Sequence, residues 1–337
     1  MFLHKIFLSL IITFSIFSEV NDSIIPTIKE ISPEQFSDKI TRNQMQKIKK
    51  AELRKSDRVL LMSFNMLFNL KHKETLLEKK YHWENRFPRI VQYLKFSSPD
   101  IIGAQELYKS QIDDLMSVIS DKYAYYGIGR DDGKDKGEIQ AVFYDKKRFK
   151  LLDAKTYFFS KNPTKVSHNS YKVKNTLTCC KFLDTRTDKK FIVLNTHLSF
   201  SSPQVRMYEA KFIKRFVDKL PSSMAVILMG DFNAFPMRFD LDLPFFDGAF
   251  VVETITGGKM ENSMNKSVMG HFGPISSTNF SQDTKKVFSG NGTPGVILDF
   301  IFVNDKVFIR SHGIDPAKVD NEYMSDHFPV LAEAIID

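Results

Sequence analysis

A chain of 337 residues with 42% apolar and 13% aromatic residues can bury a sizeable core, which excludes a wholly disordered protein. Its two cysteines, adjacent at Cys179 and Cys180, exclude a disulfide framework, because neighbouring residues make geometrically poor partners for an ordinary bridge. The formal charge of +8 is modest for this length and does not by itself mark a nucleic-acid binder.

The chain begins with His4 and Lys5, an apolar-rich stretch over 6–17, and Ser18-Glu19. A stretch of about twelve residues is too short for a spanning helix, so 1–18 reads as a secretory signal peptide, predicting a secreted or periplasmic protein. Residues 19–58 read as a charged linker or N-terminal arm, acidic at first and then with eight Lys/Arg against two acids over 39–58. The main reading is a solvated segment; the alternative is a basic arm touching an anionic polymer or membrane.

The apolar run 59–64 has strand length and ends in Asn65. Over 83–96, Trp83, Phe87, Ile90, Val91 and Leu94 recur at helical spacing, with Pro88 arguing for a helix start at or just before it. Pro99-Asp100 breaks the helix, and 101–104 starts a strand that delivers Gln105 and Glu106. A helix is predicted over 109–119 and a strand over 123–128, followed by the charged loop Gly129-Arg130-Asp131-Asp132-Gly133. Strands follow over 139–144 and near 151–159, 176–183 and 191–194, joined by turn-rich links that favour antiparallel meanders over an all-parallel sheet. A long helix over 203–220 precedes a buried strand over 225–229 that leads into Asp231. Residues 257–295 are rich in Gly, Ser, Asn and Lys and read as a long functional loop, with order returning at 297–303 and 329–335. Strands alternate with single helices in two successive halves, which predicts two packed mixed sheets flanked by helices in one α/β domain over 59–337.

Polar islands close these apolar runs: Asn65, Gln105-Glu106, Gly137-Glu138, Asn195-Thr196-His197, Gly230-Asp231-Phe232-Asn233 and Ser325-Asp326-His327. Alone, Glu106 is an ordinary loop carboxylate and Asn65 an ordinary turn former. Asp231 and Asn233 carry more, because alternate positions after a buried strand point to one side. Asp299 sits inside the apolar run 298–302, where an unpaired charge costs on the order of several kcal/mol, so it should meet a metal, a histidine or hydrogen-bond donors. His197 and His327 each adjoin an apolar strand with acidic company, and a functional reading requires a fold that brings them together. Carboxylates, imidazoles and an amide around a hard cation can hydrolyse a phosphate ester: they neutralise phosphoryl charge, place a water in line and help the leaving oxygen depart. Mg²⁺ takes few protein carboxylates and suits Glu106 with Asn65 beside it.

These islands resemble, in composition and order, the endonuclease/exonuclease/phosphatase superfamily over about residues 59–335, and Gly129-Arg130-Asp131-Asp132-Gly133-Lys134 before Gly137-Glu138 resembles an exported bacterial branch of it. The resemblance implies a four-layer α/β sandwich with the site between the edges of two sheets. It implies an enzyme that depends on Mg²⁺ or Mn²⁺, with Glu106 binding the metal and Asn65 and Asp299 in the same cluster. Asp231 would orient or activate water and Asn233 would hold the phosphate. His327, oriented by Asp326 or Asp299, would act as base or charge stabiliser, and His197, oriented by Glu138, would contact another phosphoryl oxygen. Two departures from this branch are Asn175 and Ile297, where relatives often carry a basic residue, and their loss would weaken phosphate contacts. Nucleic acid is the first substrate class to consider. Sugar or inositol phosphates and a membrane lipid such as sphingomyelin follow, with a monomeric chain. A catalytically silent binding protein on the same fold is the contrasting reading, disfavoured because a binding module gains nothing from clustered carboxylates.

Overall fold

In the computed structural model the described residues are 55–69, 78–200, 202–234, 248–279 and 296–337, all within the unit Arg54–Asp337. The expected signal peptide at 1–18 and residues 19–54 of the charged arm lie outside them, as do 235–247 and residues 280–295 of the long loop.

The first strand, β1 (Val59–Asn65), is buried at six of its seven positions, as its unbroken apolar run requires. It leads to α1 (Trp83–Ser97), whose inward stripe holds Trp83, Arg86, Ile90, Val91 and Leu94. This helix starts a turn and a half before Pro88, contrary to the sequence expectation. The proline removes one N–H from the ladder, while the turn ahead of it is pinned by Trp83, whose Nε1 donates to Asp114 Oδ2 (2.7 Å), and by the buried Arg86. The helix stops at Ser98, in the left-handed region at φ 48°.

The chain continues through β2 (Ile101–Leu107), α2 (Lys109–Ile119), β3 (Tyr123–Tyr126), β4 (Ile139–Asp145), β5 (Phe149–Phe158), β6 (Thr176–Asp184) and β7 (Lys189–His197). Then follow α3 (Pro203–Asp218), β8 (Ala225–Asp231), α4 (Gly248–Thr256), β9 (Glu261–Asn262), α5 (Ser263–Lys266) and β10 (His271–Phe272). The last strands are β11 (Asp299–Val303), β12 (Val307–Ile314) and β13 (Val330–Ile336). One seven-stranded sheet has the order β10-β12-β13-β1-β2-β4-β3, and a six-stranded sheet has the order β5-β6-β7-β8-β11-β9. Both are mixed, and β1, β2 and β4 face β6, β7, β8 and β11 across one apolar core that holds Leu61, Val142, Val193, Leu228 and Ile301. With flanking helices this is the expected α/β sandwich.

Two elements escape the sequence reading. Strand β12 has no clean alternation, because Arg310 and His312 are buried and its register shifts at a bulge between Ile309 and Ser311. Arg310 pairs with Glu333, and His312 Nδ1 lies 2.9 Å from His271 Nδ1. Helix α4 is largely apolar, with Val251 and Ile255 buried one turn apart, so its polar stripe is narrow. Within the expected long loop, β9, α5 and β10 are ordered, and residues 276–279 clasp the C-terminal loop through the Thr278–His327 bridge and the Phe328 N–H to Ser277 carbonyl bond.

Candidate active site

Two parallel strand pairs bring the polar islands to one edge. Strands β1 and β2 register Asn65 opposite Gln105, β7 and β8 register His197 opposite Asp231, and β11 sets Asp299 opposite Asp231. Beneath the site a polar clasp joins the sheets. Gln105 Nε2 donates to Asn195 Oδ1 (2.7 Å), and Asn195 Nδ2 donates to the carbonyls of Ala104 and Ala141 (both 2.8 Å). Strands β7 and β8 approach closely at Gly230, where a Cβ would stand 2.3 Å from the Thr196 carbonyl oxygen.

Glu106 lies at φ 63°, where the pairing of β2 with β4 slips between Ala104 and Leu107. This bulge turns the side chain off the strand's alternation and toward Asn65, a local strain of the kind found at functional sites. Asn65 Nδ2 donates to Glu106 Oε1 (2.9 Å) and to Asp231 Oδ2 (3.0 Å), joining carboxylates from opposite sheets. Its oxygen accepts the Leu67 N–H (3.0 Å). Asn65, expected in the metal cluster, thus stands beside Glu106 and holds two carboxylates together.

His197 stands at the centre of one group. Its Nε2 is 2.9 Å from Asn233 Nδ2, 3.6 Å from Asp231 Oδ2 and 3.9 Å from Glu106 Oε1, and its Nδ1 is 3.5 Å from Glu138 Oε2. Burial opposes a charge on this ring, but Asp231, Glu138 and Glu106 outweigh it and raise its pKa to about 9. Glu138 is itself held low: burial works to raise it, and the His197 ring and Arg130 prevail. Asn233, left-handed at φ 46°, donates its backbone N–H to Asp231 Oδ1 (2.8 Å) and its amide to the Leu198 carbonyl (3.0 Å).

His327 forms the other group. Its Nδ1 lies 2.7 Å from Asp299 Oδ2, and its Nε2 lies 3.7 Å from Asp231 Oδ2. Of the two candidates to orient this ring, Asp299 is the one bonded to Nδ1. Half-buried Asp326 takes its neighbour's Ser325 hydroxyl (3.2 Å), and that hydroxyl also reaches the Asn65 carbonyl (2.7 Å). Burial disfavours a charge on His327, yet Asp299 and Asp231 raise its pKa well above the ordinary value. Burial likewise pushes Asp299 up to about 6, His327 limiting the rise.

A divalent ion fits this donor set. Ligand atoms of Glu106, His197 and Asp231 lie within 4.8 Å of one another, as do those of Asp231, Asp299 and His327. Burial first, then the nearby Asp326 and Glu138 carboxylates, raise Glu106 to about 7 despite His197, an excess of negative charge that a hard cation would offset. Glu106, the expected metal ligand, stands in the first group, and Asp231 is common to both. Asp299 belongs to the second group: its Oδ2 is engaged by His327 and by the Ser277 hydroxyl (2.7 Å), while its buried Oδ1 has no hydrogen-bond partner. Asp299, expected in the metal cluster, therefore pairs with His327 through one oxygen and stands with Asp231 and His327 in the second group of possible metal ligands.

Ser277 and Arg86 join the site without having been marked by a motif. Ser277, in a low-complexity stretch, bonds Asp299. Arg86, fully buried on α1, donates to the carbonyls of Tyr81, Met66, Leu67, Phe68 and Met324, tying the segment after β1 to the segment before His327. Its place on a buried helical stripe between Trp83 and Ile90 is a signal that periodicity carries. Asn175, the first departure, is buried between Arg130 Nη1 (3.1 Å) and Glu209 Oε1 (3.0 Å), and Ile297, the second, packs into the apolar core.

The sequence profile of the Endonuclease/Exonuclease/phosphatase family matches residues 62–327. Among curated proteins, the uncharacterized protein L388 of Acanthamoeba polyphaga mimivirus is 26% identical over 181 residues, covering 47% of this chain and 62% of that protein, less than two thirds of its length. An endonuclease/exonuclease/phosphatase from Bacteroides vulgatus superposes with a TM-score of 0.69 at 27% identity, covering 83% of this chain and 99% of that one. The mannosyl-6-phosphatase Bt3783 of Bacteroides thetaiotaomicron gives 0.70 at 24% identity (82% and 100% covered), and D. rerio TDP2 complexed with a single-strand DNA product gives 0.59 at 17% (82% and 98% covered). The last two likenesses concern the fold alone.

Proposed function

Because the chain belongs to the endonuclease/exonuclease/phosphatase family, whose members hydrolyse phosphate esters, we propose that it cleaves a phosphodiester in nuclease-like fashion, or a phosphomonoester, by in-line attack of water at a site that uses Mg²⁺ or Mn²⁺. The observation that carries this reading is the pair of imidazoles, each backed by a carboxylate, that face the shared carboxylate of Asp231.

Asp231 orients the attacking water and accepts its proton, its own position set by Asn65 and the Asn233 N–H. His327, held by Asp299, presents Nε2 to a phosphoryl oxygen and opposes the charge that develops there. His197, held by Glu138, contacts a second oxygen and protonates the departing one, while Asn233 fixes the phosphate through its amide. Glu106 would hold the ion, with Asn65 and Asp299 in the same cluster, and the ion when bound supplies positive charge against the phosphoryl oxygens. Export is the accompanying proposal, resting on the signal-like stretch at 1–18.

The test is hydrolysis by the purified chain across DNA, RNA, sugar and inositol phosphates, sphingomyelin and generic aryl phosphates, with Mg²⁺ or Mn²⁺ and with chelator. Chelator-sensitive turnover of at least one class is the expected result. Equal turnover with chelator would remove the metal from the account, and no turnover by folded, metal-loaded protein would remove the hydrolysis.

A further inference from the structure

Beyond Glu138 lies a second cationic contact that the hydrolytic account leaves unused. The loop between β3 and β4 closes on itself: Gly129 N–H donates to the Lys134 carbonyl, Asp131 N–H donates to the Lys136 carbonyl, and the Asp132 carboxylate accepts the N–H groups of Lys134 and Lys136. Gly137, at φ 82°, completes the turn where a Cβ would meet the Asp131 carboxylate at 2.6 Å. On this base stands Arg130, whose own N–H donates to the Glu138 carbonyl (3.1 Å).

Its guanidinium is held from two directions. Nη2 donates to Glu138 Oε1 (2.8 Å) and Nη1 to Asn175 Oδ1 (3.1 Å). Asn175 donates in turn to Glu209 Oε1 (3.0 Å), and Glu209 Oε2 accepts the N–H of Ser199 (2.8 Å), two residues beyond His197. Pairing with Glu138 alone would satisfy a surface arginine. Here a fully buried carboxylate on α3, pushed up to about 8 by burial, is spent on fixing the other nitrogen through Asn175. Two bonds use two of the five guanidinium N–H groups, and the side chain remains 29% exposed, one carboxylate and one imidazole away from Asp231.

We propose that Arg130 is a specificity-determining residue that binds the additional non-bridging oxygen of a terminal phosphate, so that the chain prefers phosphomonoesters to diesters, with Asn175 and Glu209 as positioning residues. The proposal rests on the phosphoesterase reading of the same site. A diester presents two non-bridging oxygens and one negative charge, whereas a monoester presents three and carries about −1.5 to −2 at neutral pH. His197, His327 and Asn233 with an ion suffice for the first. The further oxygen and charge call for a further cation, and a planar fork of N–H donors matches that geometry. In the reaction the water oxygen forms the new P–O bond, the ester P–O bond breaks, and the alcohol leaves with a proton as inorganic phosphate is released.

The experiment measures kcat/KM of the full chain with Mg²⁺ for an aryl phosphate monoester and the matching diester, together with inhibition by inorganic phosphate. Wild type should favour the monoester. In Arg130→Ala both rates fall, since Glu138 loses its partner, but the monoester-to-diester ratio should fall a further ~10- to 100-fold and the phosphate inhibition constant should rise by a similar factor. Added guanidinium should recover the monoester-to-diester ratio, whereas repair of the Glu138 contact alone would raise both rates together. Should Arg130→Ala not fold, Asn175→Ala serves, with a several-fold loss in the ratio expected through KM. An unchanged ratio and inhibition constant in a folded variant would overturn the proposal. Wild-type turnover of the diester alone would overturn it while leaving the phosphoesterase reading intact, and turnover of neither ester would overturn both.

Discussion

The two imidazole–carboxylate pairs that flank Asp231 are built differently. His327 and Asp299 meet at 2.7 Å, both nearly inaccessible, with Asp299 set opposite Asp231 by strand pairing and gripped again by Ser277. His197 and Glu138 stand 3.5 Å apart, and Glu138 makes its close contact with Arg130, on a loop at the open side. The first pair belongs to the interior of the sandwich and is fixed by its packing. The second is more loosely paired, and its carboxylate is shared between an imidazole and a guanidinium. A site that must hold reacting atoms still while admitting a substrate places rigidity on one flank and adaptability on the other.

The contrast is sharpest in carboxylate substitutions. Asp299→Asn keeps the shape of the His327 pair but removes the charge that orients and stabilises its imidazolium, so kcat should fall about 1,000- to 10,000-fold while circular dichroism stays native. Glu138→Gln should cost only about 10- to 100-fold, because His197 keeps Asp231 and Glu106 nearby. Equal losses would erase the distinction between the flanks.

A pH profile sharpens it further. In the proposed reaction His197 acts in its protonated form, which Asp231, Glu138 and Glu106 favour by raising its pKa, so kcat/KM should decline on the alkaline side. Removing the Glu138 charge lowers the ring's pKa, so in Glu138→Gln the alkaline limb should move to lower pH; a limb that stays in place would detach it from His197. The smallest effect on turnover belongs to Ser277→Ala, which leaves the His327–Asp299 bond in place and takes one hydrogen bond from a buried carboxylate. It should cost about 1–3 kcal/mol in a denaturation experiment and less than about tenfold in rate.

The sequence discloses the flanks unequally for the same physical reason. Asp231 and Asp299 stand out because each is a carboxylate at the end of or within an apolar strand, where burial demands a partner, and His197 and His327 adjoin such strands. The parallel pairing of β1 with β2 and β7 with β8 then gathers them. What stays hidden is set by contacts between distant segments. The direction of the Asn65 amide depends on two carboxylates 41 and 166 residues away, and Asn175 acquires its place only when α3 brings Glu209 to it. Pro88 marks a helix start by local propensity alone, whereas the burial of Trp83 and Arg86 carries the helix back to Trp83. Strand β12 went unseen because its buried Arg310 and His312 find partners that periodicity does not encode.

The central claim is that both flanks act on one phosphate through Asp231. It is tested most directly by the turnover of an activated aryl phosphate, with saturating Mg²⁺, by the wild-type chain and its Asp231→Ala variant, alongside a check that the variant is folded. A loss of about 1,000-fold or more in a folded variant is the predicted result. Turnover within about threefold of wild type would contradict the account and place the chemistry elsewhere on the molecule.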